Sequence, residues 1–201
     1  MMKLEKASYR AIDFSCLYYH YAKSVPAVSL AYSVFDDKGV FCGVVAFGSG
    51  ATPHIASPYS KWQGQVVELV RVALNGKQEL TSKAIGISLR LLKKDAPLVD
   101  LVVSYADVDQ EHLGVIYQAT NWIYTGLHNE KTRGAFIVNG KKKHPRSCGV
   151  LGWVQSLEWI RLNIDPNASE FITEGKHKYV YPLNDKMKKQ VELLRQPYPK
   201  K

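Results

Sequence analysis

Apolar residues recur along this chain with two different periods, and the order of those periods sets the expected architecture. Ala7 to Tyr21 carries its apolar residues at helical spacing, and Ser24-Val25-Pro26 closes that helix because proline cannot continue it. Met1 to Lys6 reads as a mixed lead into the same helix, too polar for a signal segment. Val28 to Phe35 and Val40 to Phe47 are β-rich runs joined by Asp36-Asp37-Lys38-Gly39, which predicts a hairpin. An irregular stretch from Gly48 to Gly64 leads to a strand over Val66 to Leu74, a turn at Asn75-Gly76-Lys77 and a helix over Thr81 to Lys94. Leu98 to Tyr105 is a buried strand. From about Gln110 to Tyr124 the pattern predicts a helix with Leu113, Ile116, Thr120 and Ile123 on one face and Tyr117, Asn121 and Tyr124 beside it. Gly134 to Val138 predicts a strand ending in the Asn139-Gly140 turn, Ser147 to Leu162 a helix, Tyr179 to Tyr181 a last strand, and Asp185 to Leu194 a basic closing helix.

A strand-helix-strand-helix centre behind an antiparallel hairpin is the organisation of the α/β, GCN5-related N-acetyltransferase (GNAT)-like fold. That fold has a mixed central sheet with flanking helices, and two central parallel strands that part to hold an acyl donor. With 201 residues, 46% of them hydrophobic, the chain can build one core, so a single domain over residues 1–201 is expected. No run of 18 apolar residues exists, which predicts no membrane span and a cytoplasmic protein.

Composition adds two things. Cys16, Cys42 and Cys148 are odd in number and widely spaced, which indicates buried thiols rather than disulfides or a structural zinc site. Lys and Arg number 27 against 18 Asp and Glu, a formal charge of +9, with the excess gathered at Lys141-Lys142-Lys143-His144-Pro145-Arg146, at Lys176-His177-Lys178 and at Lys186 to Lys189. Such clusters favour a polyanion through counterion release without selecting a sequence, although a merely soluble basic protein also carries them.

Candidate chemistry collects where the buried strand ends. Ser104-Tyr105-Ala106-Asp107, then Tyr117, Gln118 and Asn121, is more polar than a packing element needs, and the carboxyl end of such a strand is where ligands sit in open α/β sheets. Asp107 and Asp109 compete for one helix cap, which leaves Asp107 for proton transfer. Tyr117 and Asn121, four apart, present a hydroxyl and an amide on one face; the alternative is an amphipathic rim. Glu68 and Arg71, three apart on a strand, are expected on opposite faces, with Arg71 suited to binding an anion and an edge-facing ion pair as the alternative. His20 and Tyr21 sit where the first helix ends; the histidine can be a general base or simply complement the helix dipole. His54, His128, His144 and His177 are read as surface residues. Trp62, Trp122, Trp153 and Trp159 are read as core or rim aromatics, one of which can stack on a base.

Several segments carry a more specific likeness: His20-Tyr21-Ala22-Lys23 with Pro26, Cys42 to Gly48, Glu68-Leu69-Val70-Arg71-Val72, Val102 to Asp107, Gly114 to Gly126, and His177 to Leu183. In one order and over most of the chain, they resemble the Mom family of bacteriophage DNA-modification proteins. The resemblance implies a GNAT-like fold and a reaction on the N6 amine of adenine in double-stranded DNA that leaves a carbamoylmethyl (glycinamide) group and shields phage DNA from host restriction. It implies the cytoplasm of an infected or lysogenic bacterium. On the reading of the residues themselves, His20, Tyr21, Asp107 and Tyr117 are the expected catalytic residues, with Glu68, Arg71, Ser104, Tyr105, Gln118 and Asn121 holding substrate or donor. The resemblance brings in a ferrous iron, Fe(II), with His20 and Asp107 as ligands. Lys141, Lys142, Lys143, Arg146, Lys176 and Lys178 are expected to contact DNA, the protein acting as monomer or homodimer. The acyl or aminoacyl donor stays open: acetyl-coenzyme A is one choice, but Leu74 to Thr81 keeps one glycine and a lysine of the expected Q/R-x-x-G-x-G/A phosphate loop rather than the pattern. Two rival functions are an ordinary acetyl-coenzyme A-dependent N-acetyltransferase acting on a small amine or protein, and a non-catalytic DNA-binding protein.

The charge pattern generates a first prediction. DNA binding is salt-sensitive, with a slope of log K against log salt near −4 to −5 if about five phosphates are contacted. Replacing Lys141, Lys142 and Lys143 by Ala makes that slope shallower in a fluorescence-anisotropy titration; binding that is flat from low to high salt refutes it.

Overall fold

Short-range chemistry starts and stops most of the elements. The structure, a computed structural model, describes residues 1–50, 54–143, 148 and 156–200. Ser8, in extended conformation, accepts a hydrogen bond from the Ala11 amide and so opens helix α1 (Tyr9–Tyr18). The chain divides into two units, residues 1–105, 114–126 and 178–201 in one and residues 106–113 and 127–177 in the other.

The first unit is built on a seven-stranded sheet. Strand β1 (Lys3–Lys6) forms one edge and pairs antiparallel with β2 (Leu30–Phe35), so the polar lead expected to run into α1 is instead an edge strand. Its charges at Lys3, Glu5 and Lys6 suit an edge, where a neutral, flat strand would recruit other chains. β2 and β3 (Phe41–Gly48) form the expected hairpin, and β4 (Val66–Leu74) continues the antiparallel order. Helix α2 (Thr81–Asp95) then carries the chain over to β5 (Leu101–Asp107), which pairs parallel with β4. Beyond β5 lie β10 (Lys176–Pro182) and β6 (Ile123–His128), giving the order β1-β2-β3-β4-β5-β10-β6.

Two apolar clusters lie on one face of this sheet, since Ala46 and Gly48 share a face and Glu68, opposite Gly48, pairs with Val103. Ile12 and Cys16 of α1 pack on Ala31 and Ala46. Val66, Leu101, Val103, Ile123 and Val180 are covered by Ile55, Ala56, Tyr59 and by Met187 and Val191 of α5 (Asp185–Glu192). Each such side chain contributes roughly 1.5–3 kcal/mol when fully removed from water.

The helix expected over Gln110 to Tyr124 is not there. A 3-10 turn at Val108–Gln110 is followed by one turn of helix, α3 (Val115–Gln118), and then by β6. Gly114 before it (φ +72) and Asn121 after it (φ +59) both adopt the left-handed conformation that ends helices. Beyond Asn121, Trp122-Ile123-Tyr124-Thr125 is an aromatic and β-branched run that fits a pleated surface.

In the second unit β7 (Thr132–Val138) is flanked by β8 (Lys141–Lys143) and β9 (Ser169–Thr173). Asn139 and Gly140 both have positive φ, the signature of a tight primed hairpin turn, so the turn is as expected while the lysine run after it is a strand. Helix α4 (Leu157–Asn163), capped by Ser156, buries Ile160 against Phe136, Val138 and Ala168. The rest of the helix expected from Ser147 lies largely outside the described residues, as do His144, Arg146 and Trp153; β9 was not expected at all.

Asp109 ties this unit together. One carboxylate oxygen accepts from Thr173 Oγ1 (2.8 Å) and Lys142 Nζ (3.0 Å), the other from the Glu174 amide (2.9 Å). Burial pushes its carboxyl up, but the Glu174 amide, the lysine and the threonine more than offset this, leaving it below the ordinary carboxylate value. The sign follows: a depressed folded value contributes stability above the unfolded carboxylate range, lost as pH falls through the folded value. Asp109→Ala is expected to cost about 1–3 kcal/mol, since three donors lose their acceptor, measured by denaturant unfolding at neutral pH; the loss should shrink in acid.

Candidate active site

β4 and β5 are paired only where Val66, Val67 and Glu68 face Leu101, Val102 and Val103. Beyond that point the two strands run on unpaired, so a gap opens between Leu69 to Leu74 on one side and Ser104 and Tyr105 on the other. Ser104 Oγ bridges its start by donating to the Leu69 carbonyl (3.2 Å).

A bulge in β4 decides what faces this gap. Ala46 of β3 pairs with Arg71 while Phe47 pairs with Leu69, so Val70 is an extra residue. Glu68 pairs with Gly48 and Arg71 with Ala46, and residues 46 and 48 share a face; Glu68 and Arg71 therefore lie on the same face, not on opposite ones. On that side Arg71 donates from Nη1 to the Val70 carbonyl (2.7 Å) and from Nη2 to Ser24 Oγ (3.2 Å), while its Nε is buried with no partner among the described residues. Gly50 (φ +84) lies so close to Glu68 that a Cβ there would meet its Oε2 at 2.9 Å.

Tyrosines complete the cluster. Tyr117 is 7% exposed, and its hydroxyl lies 2.8 Å from Ser104 Oγ. The Leu69 carbonyl can only accept, so the order runs from the Tyr117 phenol to Ser104 and on to Leu69. Burial pushes Tyr117 up to about 12, opposed by the Ser104 hydroxyl, which can turn to donate to the phenolate, and reinforced by the charges of Tyr21, Glu68 and Tyr179. Tyr105 is also raised, by burial first and then by Glu68 and Tyr59. Glu68 thus acts on both Tyr105 and Tyr117, and both phenols are held protonated. Behind Tyr117 stand Trp122 and Tyr179, with ring centroids at 5.1 and 5.2 Å, and Gln118 Nε2 donates to Tyr179 Oη (3.2 Å). A Cβ on Gly114 would come within 2.4 Å of the Tyr179 ring, so only glycine fits.

The other expected residues are placed as follows. His20 stacks on Tyr21 (4.4 Å), and its Nδ1 accepts from the Ala22 amide (3.1 Å). Asn121 is an exposed left-handed turn residue, not the i+4 partner of Tyr117. Asp107 belongs to the second unit, where its carboxylate caps the 3-10 turn through the Asp109 amide (3.0 Å); it, and not Asp109, is the cap. Lys142 pairs with Asp109 and lies 3.7 Å from the Phe171 ring centroid, Lys178 lies 5.1 Å from that of Tyr59, and Lys141 and Lys176 are exposed. Trp122 is fully buried and Trp62 is 74% exposed. Ser24, Gly50, Tyr59 and Tyr179 gave no sequence signal beyond their neighbourhoods.

Iron is not matched by these residues. Among the described residues no three His, Cys, Asp or Glu side chains gather as a ligand set. With Nδ1 of His20 accepting a hydrogen bond, a neutral imidazole keeps its proton on Nε2 and offers no lone pair there.

Comparison with known proteins gives this geometry a family. A model of the Mom protein family matches residues 7–200. The chain belongs to the Mom family. Mutant forms of the spermidine/spermine N-acetyltransferase SpeG from Vibrio cholerae are similar in structure at 9% identity and a TM-score of 0.50, over 94% of this chain and 99% of theirs. Two chimeric forms of the Vibrio cholerae enzyme have 8% identity: one reaches a TM-score of 0.53 over 94% of this chain and 98% of its own, the other 0.52 over 90% and 95%. These likenesses show the GNAT fold, with its mixed sheet and flanking helices. No curated protein matches the chain. No helix among the described residues is long and apolar enough to cross a membrane.

The Tyr117 environment predicts an alkaline weakness. A phenol raised in the folded state contributes stability that is complete below its ordinary value near 10 and lost as pH rises toward about 12. For this buried group the loss is about 2–3 kcal/mol. Between about pH 9 and about pH 11, unfolding measurements should show roughly half of that, about 1–1.5 kcal/mol, lost in the native chain and less in Tyr117→Phe; an equal fall in both rejects this environment for Tyr117.

Proposed function

We propose that this Mom-family chain is a transferase that modifies adenine in double-stranded DNA at N6, leaving a carbamoylmethyl group, and thereby protects phage DNA from host restriction in the cytoplasm of the infected or lysogenic cell. The family match over residues 7–200 carries the reading. The gap between β4 and β5, lined by a carboxylate, an arginine and buried phenols, supports it.

Forming a bond to N6 requires the amine to lose a proton and the departing carrier to gain one. Glu68 is the proton acceptor on this reading, and Tyr117, neutral at physiological pH and ordered by Ser104, is the donor. Arg71 holds an oxygen of the transferred group through its unpartnered Nε. His20, with its proton on Nε2, is a donor to the substrate and not a base. N6 is paired inside the duplex, so the base must leave the stack to reach these groups. Lys141, Lys143 and Lys176 hold phosphates, whereas Lys142 chiefly holds Asp109.

A donor carried on a phosphate-bearing group, coenzyme A being one, fits the start of α2. Leu80 gives that helix no side-chain cap and its first turn holds no acid, so its amides are open to an anion.

Mass spectrometry of nucleosides from cells expressing the chain tests the reading: a deoxyadenosine heavier by a carbamoylmethyl group is expected, and unchanged deoxyadenosine alongside folded protein refutes it. Glu68→Gln and Tyr117→Phe should each lower the yield about 10²–10⁴-fold, the usual effect of a lost proton-transfer group. If yield falls only in step with Tm, the two residues are structural.

A further inference from the structure

Helix α1 is apolar on two opposite sides. Its buried side is Ile12, Ser15 and Cys16, with half-buried Tyr19 following at the same spacing. Its outer side presents Phe14, Leu17 and Tyr18 at i, i+3 and i+4, 44%, 44% and 65% exposed, and Tyr21, 57% exposed, follows in the turn after the helix. A surface helix with one buried stripe presents polar residues on its far side. An aromatic far side marks a surface that something else covers.

Two observations say what covers it. The stripe leads toward the candidate site, since Ser24, in the segment that follows α1, accepts from Arg71 Nη2 (3.2 Å). Its chemistry, moreover, is that of π-faces rather than of charge: the Phe14 and Tyr18 rings lie tilted by 34° with centroids 4.8 Å apart, and His20 and Tyr21 stack at 4.4 Å. Exposed Arg10 and Lys23 lie at either end of the row, and the chain carries +9 overall, a balance that suits a polyanion.

We propose that the outer face of α1 is a stacking platform for nucleobases, taking up unpaired bases beside the adenine as it leaves the duplex. The inference rests on the DNA-modifying reading given above and adds to it the element that stabilises the opened strand. Stacking on aromatic side chains is sequence-tolerant because every base has a π-face, and it rewards unpaired over paired bases. It also answers which aromatics meet a base: Trp122 is enclosed within the fold, whereas Phe14 and Tyr18 are 44% and 65% exposed.

The test uses Phe14→Ala/Tyr18→Ala in the full chain; both side chains are exposed and outside the catalytic cluster, so folding is retained and is checked by Tm. Anisotropy titrations compare a fluorescent single-stranded oligonucleotide, a matched duplex, and a duplex with a mispaired adenine. Expected is a roughly 10–100-fold loss of affinity for the single strand and the mispaired duplex, the effect of removing base–aromatic stacking. The matched duplex changes little, and the salt slope does not change, because no phosphate contact has been removed. Equal affinities for native and variant protein overturn the platform while leaving the enzyme reading to its nucleoside test. A native protein that sediments as a dimer and a variant that sediments as a monomer assign the stripe to a second copy of the chain and also overturn it. Native protein that binds none of the three DNAs removes both this inference and the reading beneath it.

Discussion

The extra residue in β4 is the constraint on which the candidate site depends. A regular strand would send Glu68 and Arg71 to opposite faces, and only one of them could look toward α1. With Val70 bulged, both lie on the face that α1 covers, and Arg71 can reach Ser24 in the segment after that helix. Pairing between β4 and β5 covers three residue pairs and stops, so backbone groups that would have closed a sheet instead border a gap. Ser104 is the tie at its mouth, joining β5 to the Leu69 carbonyl and to the phenol of Tyr117.

Rigidity behind the gap comes from aromatic packing. Tyr117, Trp122, Tyr124, Tyr179, Tyr181 and Tyr198 form a continuous run of ring contacts, with centroids between 5.1 and 6.4 Å. Such pairs are each worth about 0.5–1.5 kcal/mol beyond the area they bury. Tyr198 extends the layer from the C-terminal segment and donates to the Trp122 carbonyl (2.7 Å). A phenol held in this way cannot swing away from Ser104, and α3 needs only one turn because its neighbours, not its own length, fix its position.

Much of this was legible in the sequence where a single period ran unbroken. The β2–β3 hairpin, β4 and α2 came out within a residue or two of their expected bounds, because β-branched runs and a clean amphipathic stripe leave little competition. The stretch from Gly114 to Tyr124 was misread because Leu113, Ile116, Thr120 and Ile123 satisfy a helical period by coincidence. Gly114, Asn121 and the run Trp122 to Thr125 are local stop and strand signals that outweigh it. The bulge was invisible, since nothing in Glu-Leu-Val-Arg marks an inserted residue; register against β3 creates it. The chain of contacts from Tyr117 through Ser104 to Leu69 likewise joins elements separated in the sequence. Membership of the Mom family, by contrast, was written in segments spread over nearly the whole sequence.

The lysine run shows how charge alone misleads about role. Counted as composition, Lys141, Lys142 and Lys143 are three equivalent phosphate contacts. As strand β8 they alternate, and register places Lys142 opposite Ile137, where it lies over Phe171 and against a carboxylate that is 8% exposed. A cation held in this way is largely neutralised within its own unit, because taking it to a phosphate would leave Asp109 facing the loss of its charged partner. Lys141, from the same strand, is exposed and makes no ion pair among the described residues. The basic excess of this chain therefore divides into a structural part and an available part. Strand geometry, rather than the number of lysines, sets the boundary between them.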